Sequence, residues 1–194
     1  MTTVYLARHG QSDWNATRRW QGHADRPLTD LGRRQAVELA ERLAETPLDA
    51  VYSSDLLRAR ETAEAVATPR GLPVHALPEL REVDVGSWSG LTRAEAEERF
   101  PEAFARWRDG GHGWEDGEAY EEMAERVFAA VLRVAAEHPG GAVLLVAHGG
   151  PIRALHAVAL GLDVARHRRL RPVAANAHLS RVVVRDGKIA RLDI

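Results

Sequence analysis

Two histidines occupy matching places in the sequence. Val4-Tyr5-Leu6-Ala7 is a short apolar, β-prone run that ends in Arg8-His9-Gly10, and Val143-Leu144-Leu145-Val146-Ala147 is a second that ends in His148-Gly149-Gly150. A guanidinium and an imidazole at a strand's C-terminal end, beside a glycine that admits close backbone approach, are suited to a ligand. If the two strands are parallel neighbours, both imidazoles reach one site. Two histidines and an arginine fit a phosphate, and one imidazole can serve as its nucleophile. Taken alone, a histidine after a strand is usually a hydrogen-bonded turn residue. Arginine is also a weak clue in a chain whose 26 basic residues include a single lysine, Lys188. The weight must come from elsewhere in the chain.

The elements that would position these groups alternate. After the first strand and a polar loop, Thr29 is placed to cap a helix over 30–46, with Ala36, Leu39, Ala40 and Leu43 on one face and Pro47 as its stop. Residues 50–53 read as a strand, 55–67 as a helix ending before Pro69-Arg70-Gly71, and 74–77 as a further strand. Residues 92–119 look like an inserted subdomain: Pro101 divides a charged helical stretch carrying Phe100, Phe104 and Trp107, and a glycine-rich loop follows. From Tyr120, the residues Met123, Val127, Val131 and Ala135 continue an apolar helical stripe that reads as core. Pro151 suits the first turn of a helix running to Gly161, and Asp186-Gly187 marks a C-terminal hairpin between residues 179–184 and 188–192. The pattern predicts one α/β domain over 1–194. It would be a three-layer α/β/α sandwich with a largely parallel central sheet, a helical and loop insertion over the site, and a C-terminal β-hairpin. The site belongs beyond the strand C-termini, where both His-Gly turns fall.

Bulk properties narrow the partners. A length of 194 residues suits one domain, and 45% hydrophobic and 28% charged residues are ordinary for a globular protein. A net charge of −2 argues against nucleic acid or an anionic membrane as partner. The one basic cluster, Arg166-His167-Arg168-Arg169-Leu170-Arg171, lacks interleaved aromatics and reads as a solvated loop. With no cysteine there is no disulfide, thiolate catalysis or Cys-ligated metal. Neither a signal peptide nor a spanning segment is visible, so a cytoplasmic location is expected. A homodimer stays open.

The segment Arg8-His9-Gly10-Gln11-Ser12-Asp13-Trp14-Asn15 resembles the signature of the histidine phosphatase superfamily, also called phosphoglycerate-mutase-like. The resemblance continues through Trp20-Gln21-Gly22-His23 to Gly32, through Tyr52-Ser53-Ser54-Asp55-Leu56-Leu57-Arg58-Ala59 with Glu61-Thr62-Ala63, through residues 80–90, and to His148-Gly149. Five ordered blocks span most of the chain, and they are most similar to the branch of broad-specificity and α-ribazole-phosphate phosphatases.

The resemblance implies hydrolysis of a small phosphomonoester without a metal or other cofactor. A phosphoryl transition state spreads charge over its equatorial oxygens, so fixed positive donors are the main need. Arg8, Arg58 and His148 would supply them, assisted by Asn15 and by backbone N–H groups near Gln21-Gly22 and Gly149. By resemblance His9 is the nucleophile, which requires a neutral ring with a free nitrogen lone pair. A carboxyl near the leaving group must give a proton to the alcohol and then take one from water. Spacing alone does not choose among Glu79, Glu82 and Asp84; the match to the family's L-x-E-x-x-x-G-x-W segment selects Glu82. No metal-ligand spacing is present among the nine histidines, and a metallohydrolase assembled from distant ligands is the competing chemistry. His23, His75, His112, His138, His156, His167 and His178 read as structural or solvent-facing.

Two other readings share this framework. A cofactor-dependent phosphoglycerate mutase would use the same His9, but Glu82 is followed by Val83-Asp84-Val85-Gly86 where mutases carry Arg-His-Tyr-Gly, and their carboxylate-clamping Lys and Arg pair has no clear counterpart. A noncatalytic phosphate-binding protein would keep the fold, yet every expected catalytic position is filled. The departures, at Gln11, Ser12, Ser89 and Ala119, bear on substrate choice. The insertion 92–119 is expected to cover the pocket, and no sequence rule reads its shape.

Overall fold

The computed structural model describes residues 1–164, 167 and 173–193. Its centre is a six-stranded sheet of order β3-β2-β4-β1-β5-β6, built from β1 (Thr2–Arg8), β2 (Ala50–Ser53), β3 (Val74–Ala76), β4 (Ala142–Ala147), β5 (Leu179–Arg185) and β6 (Lys188–Asp193). The first four positions in that order are parallel, and β5 and β6 form an antiparallel hairpin that joins the sheet along β1. Asp186 and Gly187, both at positive φ, make its turn, the conformation that an Asp-Gly pair favours. The sheet is mixed and mostly parallel, as the alternating pattern predicted.

Among the described residues seven helices flank it: α1 (Asp13–Ala16), α2 (Asp30–Arg42), α3 (Leu57–Ala67), α4 (Arg93–Arg99), α5 (Pro101–Arg108), α6 (Tyr120–Glu137) and α7 (Gly149–Ala159). Leu39 of α2 and Leu43 just beyond its end, with Ala59, Ala63 and Val66 of α3, pack on Val51, Leu144 and Val146, closing one face of the sheet. Met123, Val127, Val131 and Val134 of α6 pack with Ile152 and Leu155 of α7 on Val4, Leu6, Val143 and Leu145, closing the other. Strands β1 and β4 therefore bury side chains on both faces, which is why they read as unbroken apolar runs.

Thr29 caps α2 by accepting the Gly32 N–H at 3.0 Å. The helix stops at Arg42, short of Pro47, because the Arg70 guanidinium takes the Leu43 carbonyl at 2.5 Å and the next residues form tight turns. Gly10 and Gly32 meet so closely that a Cβ on Gly10 would stand 2.4 Å from the Gly32 carbonyl oxygen. Only glycines let the loop after β1 lie directly on the start of α2.

Within 92–119, Phe104 and Trp114 turn inward and join Trp88 and Trp20; the Trp88 ring lies 5.6 Å from Trp20, 5.8 Å from Phe104 and 5.7 Å from Trp114. These aromatics are continuous with the α6 and α7 core. Among the described residues no helix is long and apolar enough to cross a membrane. In the basic cluster, Arg166, Arg168, Arg169, Leu170 and Arg171 lie outside the described residues; His167 is buried.

Candidate active site

Strand register brings the histidines together. Arg8 pairs with Ala147 across the β1–β4 ladder, so the next residues, His9 and His148, leave the sheet at the same level. Their ring centroids are 5.0 Å apart, with planes inclined by 60°. Both are buried.

The His9 ring is fixed by its neighbour's backbone: Nδ1 lies 2.6 Å from the Gly10 carbonyl oxygen. A carbonyl can only accept, so Nδ1 carries the hydrogen and Nε2 keeps its lone pair. Burial, then the Arg58 and Arg8 cations, hold the His9 pKa well below its ordinary value and the ring neutral. The loop that carries it is tied down on both sides. Asn176 donates to the His9 carbonyl at 3.0 Å, and Thr62 accepts the Gly10 N–H at 3.0 Å.

Arg58 stands in the first turn of α3, fully buried. Its two terminal nitrogens donate to the carbonyls of Ala24 (2.7 Å) and Gly22 (2.9 Å), stapling the Gln21-Gly22 loop. Burial pulls its pKa down to about 10, with Glu82 opposing, so the group remains a cation at neutral pH. Arg8 donates to the Ala174 carbonyl at 2.5 Å. Burial lowers its pKa as well, and Glu82 raises it.

Among the described residues, Arg8 Nε, Arg58 Nε and both ring nitrogens of His148 are buried without a hydrogen-bond partner in the protein. A buried polar group left unpaired costs about 1–3 kcal/mol, and native proteins rarely keep several together. An oxyanion with several acceptor oxygens satisfies such donors. His148 is also held neutral, by burial first and then by Arg58 and His9, so it acts as a neutral donor or acceptor.

Of the three acids that spacing left open, geometry separates one. Glu82 lines the cavity beside His9, Arg8 and Arg58, and both of its carboxylate oxygens accept the Gly150 N–H at 3.1 Å. Glu79 is instead paired with Arg133 at 2.8 Å, and Asp84 accepts the Gly86 N–H at 3.0 Å; neither lines the cavity. Gly150 is required for this approach, since a Cβ there would lie 2.1 Å from Glu82 Oε1.

Asn15 and Gln21 also line the cavity, which has a volume of about 700 Å³. Each has its amide oxygen engaged, Asn15 Oδ1 by Ser12 and Asn176, Gln21 Oε1 by the Ser12 hydroxyl at 2.8 Å, which orients their NH2 groups. Gly22 lines the wall as well. His148 and Gly149 sit behind the open surface; a Cβ on Gly149 would stand 2.2 Å from Val173 and 3.7 Å from the Arg8 guanidinium carbon. Of residues 92–119, Thr92, Arg93 and Ala94 line the cavity. Sequence reasoning passed over several others: Arg19, Trp20, Tyr120 and Arg153 in the wall, and Thr62 and Asn176 beneath it. Arg93 left one legible signal, since a cation in the first turn of α4 opposes the helix dipole.

Among the described residues no group of three or more His, Asp or Glu side chains is arranged to hold a metal ion. A model of the histidine phosphatase superfamily (branch 1) matches residues 4–193. The chain belongs to that superfamily. It is 40% identical over 162 residues to the metal-independent phosphoserine phosphatase of Arabidopsis thaliana, which covers 80% of this chain and 68% of that protein. It is 38% identical over 185 residues to the probable phosphoglycerate mutase GpmB of Cronobacter sakazakii, covering 94% and 85%. The mycobacterial glucosyl-3-phosphoglycerate phosphatase in complex with VO3 superposes with a TM-score of 0.89 at 36% identity, covering 99% of this chain and 97% of that one. Arg8 and His9, the residues that carry the resemblance at the end of β1, both line the cavity, and His9 is buried.

Proposed function

We propose that this single-domain protein is a cytoplasmic, metal-independent phosphomonoester hydrolase acting on a small phosphorylated molecule through a phosphohistidine on His9. The observation that carries the reading is the group of buried, unpaired donors on Arg8, Arg58 and His148 around a ring whose Nε2 lone pair is free. The phosphatases among its relatives support it.

In the first step His9 Nε2 attacks phosphorus and the ester P–O bond breaks. Arg8, Arg58, His148, Asn15 and Gln21 hold the equatorial oxygens as charge spreads over them. Glu82, as the carboxylic acid, passes its proton to the departing alkoxide oxygen. In the second step the Glu82 carboxylate takes a proton from water, the oxygen attacks phosphorus, and the P–N bond breaks. Neutral His9, protonated Glu82 and inorganic phosphate result. The backbone N–H groups near Gly22 and Gly149 add further donors.

The test is a screen of phosphomonoesters for phosphate release in excess chelator, with His9→Ala alongside. Release that survives the chelator and vanishes in His9→Ala, with acid-labile phosphate trapped on the wild-type chain after quenching, is expected. Activity that disappears with EDTA and returns with a divalent ion overturns the reading. The relative named as a probable mutase makes a second assay necessary. With 3-phosphoglycerate and a bisphosphoglycerate primer, phosphate release is expected to outrun formation of 2-phosphoglycerate.

A further inference from the structure

Arg126 lies on α6, on the polar flank of its apolar stripe, and the mechanism above does not use it. Its guanidinium has five N–H donors, and all five are engaged. Nε and one terminal nitrogen grip the two carboxylate oxygens of Glu118 at 2.5 and 2.6 Å. The remaining hydrogens go to three backbone carbonyls of a single segment, those of Glu79 (2.7 Å), Arg81 (2.9 Å) and Glu82 (3.0 Å). Glu118 extends the grip, since its backbone N–H donates to the Asp84 carbonyl at 2.9 Å and its carboxylate accepts the Asp84 N–H at 3.3 Å. On the other side, His23 Nε2 lies 2.9 Å from the same Glu82 carbonyl. The Arg126 and Glu118 side chains are only 23% and 17% exposed, so the pair is shielded from competing water.

Residues 79–84 have little regular structure to hold them, one 3-10 turn at Pro78–Leu80 being all they have. A fork that fixes three carbonyls within four residues replaces the ladder that a strand would have supplied. From this, resting on the reading of Glu82 as the proton donor, we infer that Arg126, with Glu118 as its anchor, is the positioning residue that aims the Glu82 carboxyl at the leaving-group oxygen. It touches neither phosphate nor nucleophile. Its loss should therefore remove proton donation and leave phosphoryl binding and attack in place.

The experiment compares Arg126→Ala, Arg126→Lys, Glu82→Gln and the double variant Arg126→Ala/Glu82→Gln over phosphomonoesters of graded leaving-group pKa, from p-nitrophenyl phosphate to simple alkyl phosphates, with melting curves for each. General acid catalysis contributes about 10²–10⁴-fold. Arg126→Ala should lose about a hundredfold in the phosphorylation step for alkyl phosphates and only a few-fold for p-nitrophenyl phosphate. Arg126→Lys keeps the charge but cannot span three carbonyls and a carboxylate, so it should show the same leaving-group dependence, and it serves in place of Arg126→Ala if that variant does not fold. The double variant should be no slower than Glu82→Gln. If Glu82→Gln depends steeply on the leaving group while the Arg126 variants lose all substrates equally or none, Arg126 has only a structural role and the inference fails. A Glu82→Gln profile that is flat overturns the assignment of Glu82, and the inference with it.

Discussion

Glu82 and Gly150 are joined by one N–H that both carboxylate oxygens share at 3.1 Å, so the acid rests on the first turn of the helix that begins behind His148. Glu82 and the second histidine thus take their positions from the same helix N-terminus.

Gly150→Ala tests that relationship. The new Cβ would lie 2.1 Å from Glu82 Oε1 and 3.1 Å from Met123 Sδ, so the carboxylate must give way. A fall in turnover of about tenfold or more is expected for alkyl phosphates, smaller for p-nitrophenyl phosphate, with the melting temperature changed little. Steady-state rates on the two substrate classes, set beside a melting curve, check it.

Arg58 carries a second expectation. It is a buried cation held by carbonyls without a carboxylate in direct contact, an arrangement that costs desolvation energy. Arg58→Met should bind phosphate or vanadate far more weakly, and without ligand it should lose about 1–3 kcal/mol of stability, since the Gly22 and Ala24 carbonyls lose their donors. Saturating anion should stabilise the parent by mass action, by about 2.7 kcal/mol at a hundred times Kd, and so raise its melting temperature while leaving the variant's unmoved. Calorimetry with and without anion measures both.

The third expectation concerns pH. His9 and His148 are held well below their ordinary 6.5 by burial and by nearby cations, and His156 is lowered to about 4, chiefly by burial. The unfolded chain takes up protons near 6.5 that the folded chain refuses. The stability from these neutral rings is therefore present in full above about pH 6.5 and lost as pH falls, over the window from 6.5 to about 4 for His156. Each such group contributes a slope of up to about 1.4 kcal/mol per pH unit. Urea midpoints should fall steadily from pH 7 to pH 5, while the His9 and His148 ring resonances do not titrate over that range. A His9 resonance titrating near 6.5 would refute the buried neutral ring.

What the sequence disclosed follows the range of the interactions involved. The two histidine strands are buried on both faces and so announce themselves as apolar runs. Thr29, Pro101 and Asp186-Gly187 act within a few residues and were readable for that reason. Glu82 was not separable from Glu79 and Asp84 by spacing, because what distinguishes it is an N–H from Gly150, far along the chain. Arg126 resembled any solvent-facing helical arginine, and Asn176 any loop residue. Their partners come from distant segments and leave no periodic trace. The aromatic residues of 92–119 gave a helix pattern but not a direction; Phe104 and Trp114 pack inward, and the cavity wall takes the first three residues of the segment.

The sheet order has a consequence for how the molecule is made. β1 precedes the other described strands in chain order, yet its two neighbours, β4 (Ala142–Ala147) and β5 (Leu179–Arg185), lie more than 130 residues further along. Val4 and Leu6 must wait for them, and local contacts cannot substitute for a pairing of such long sequence separation. A chain ending before β4 holds Arg8, His9, Arg58 and Glu82 but lacks His148 and the strand against which β1 is registered. The level at which His9 faces His148 is thus fixed by a pairing that local folding cannot supply.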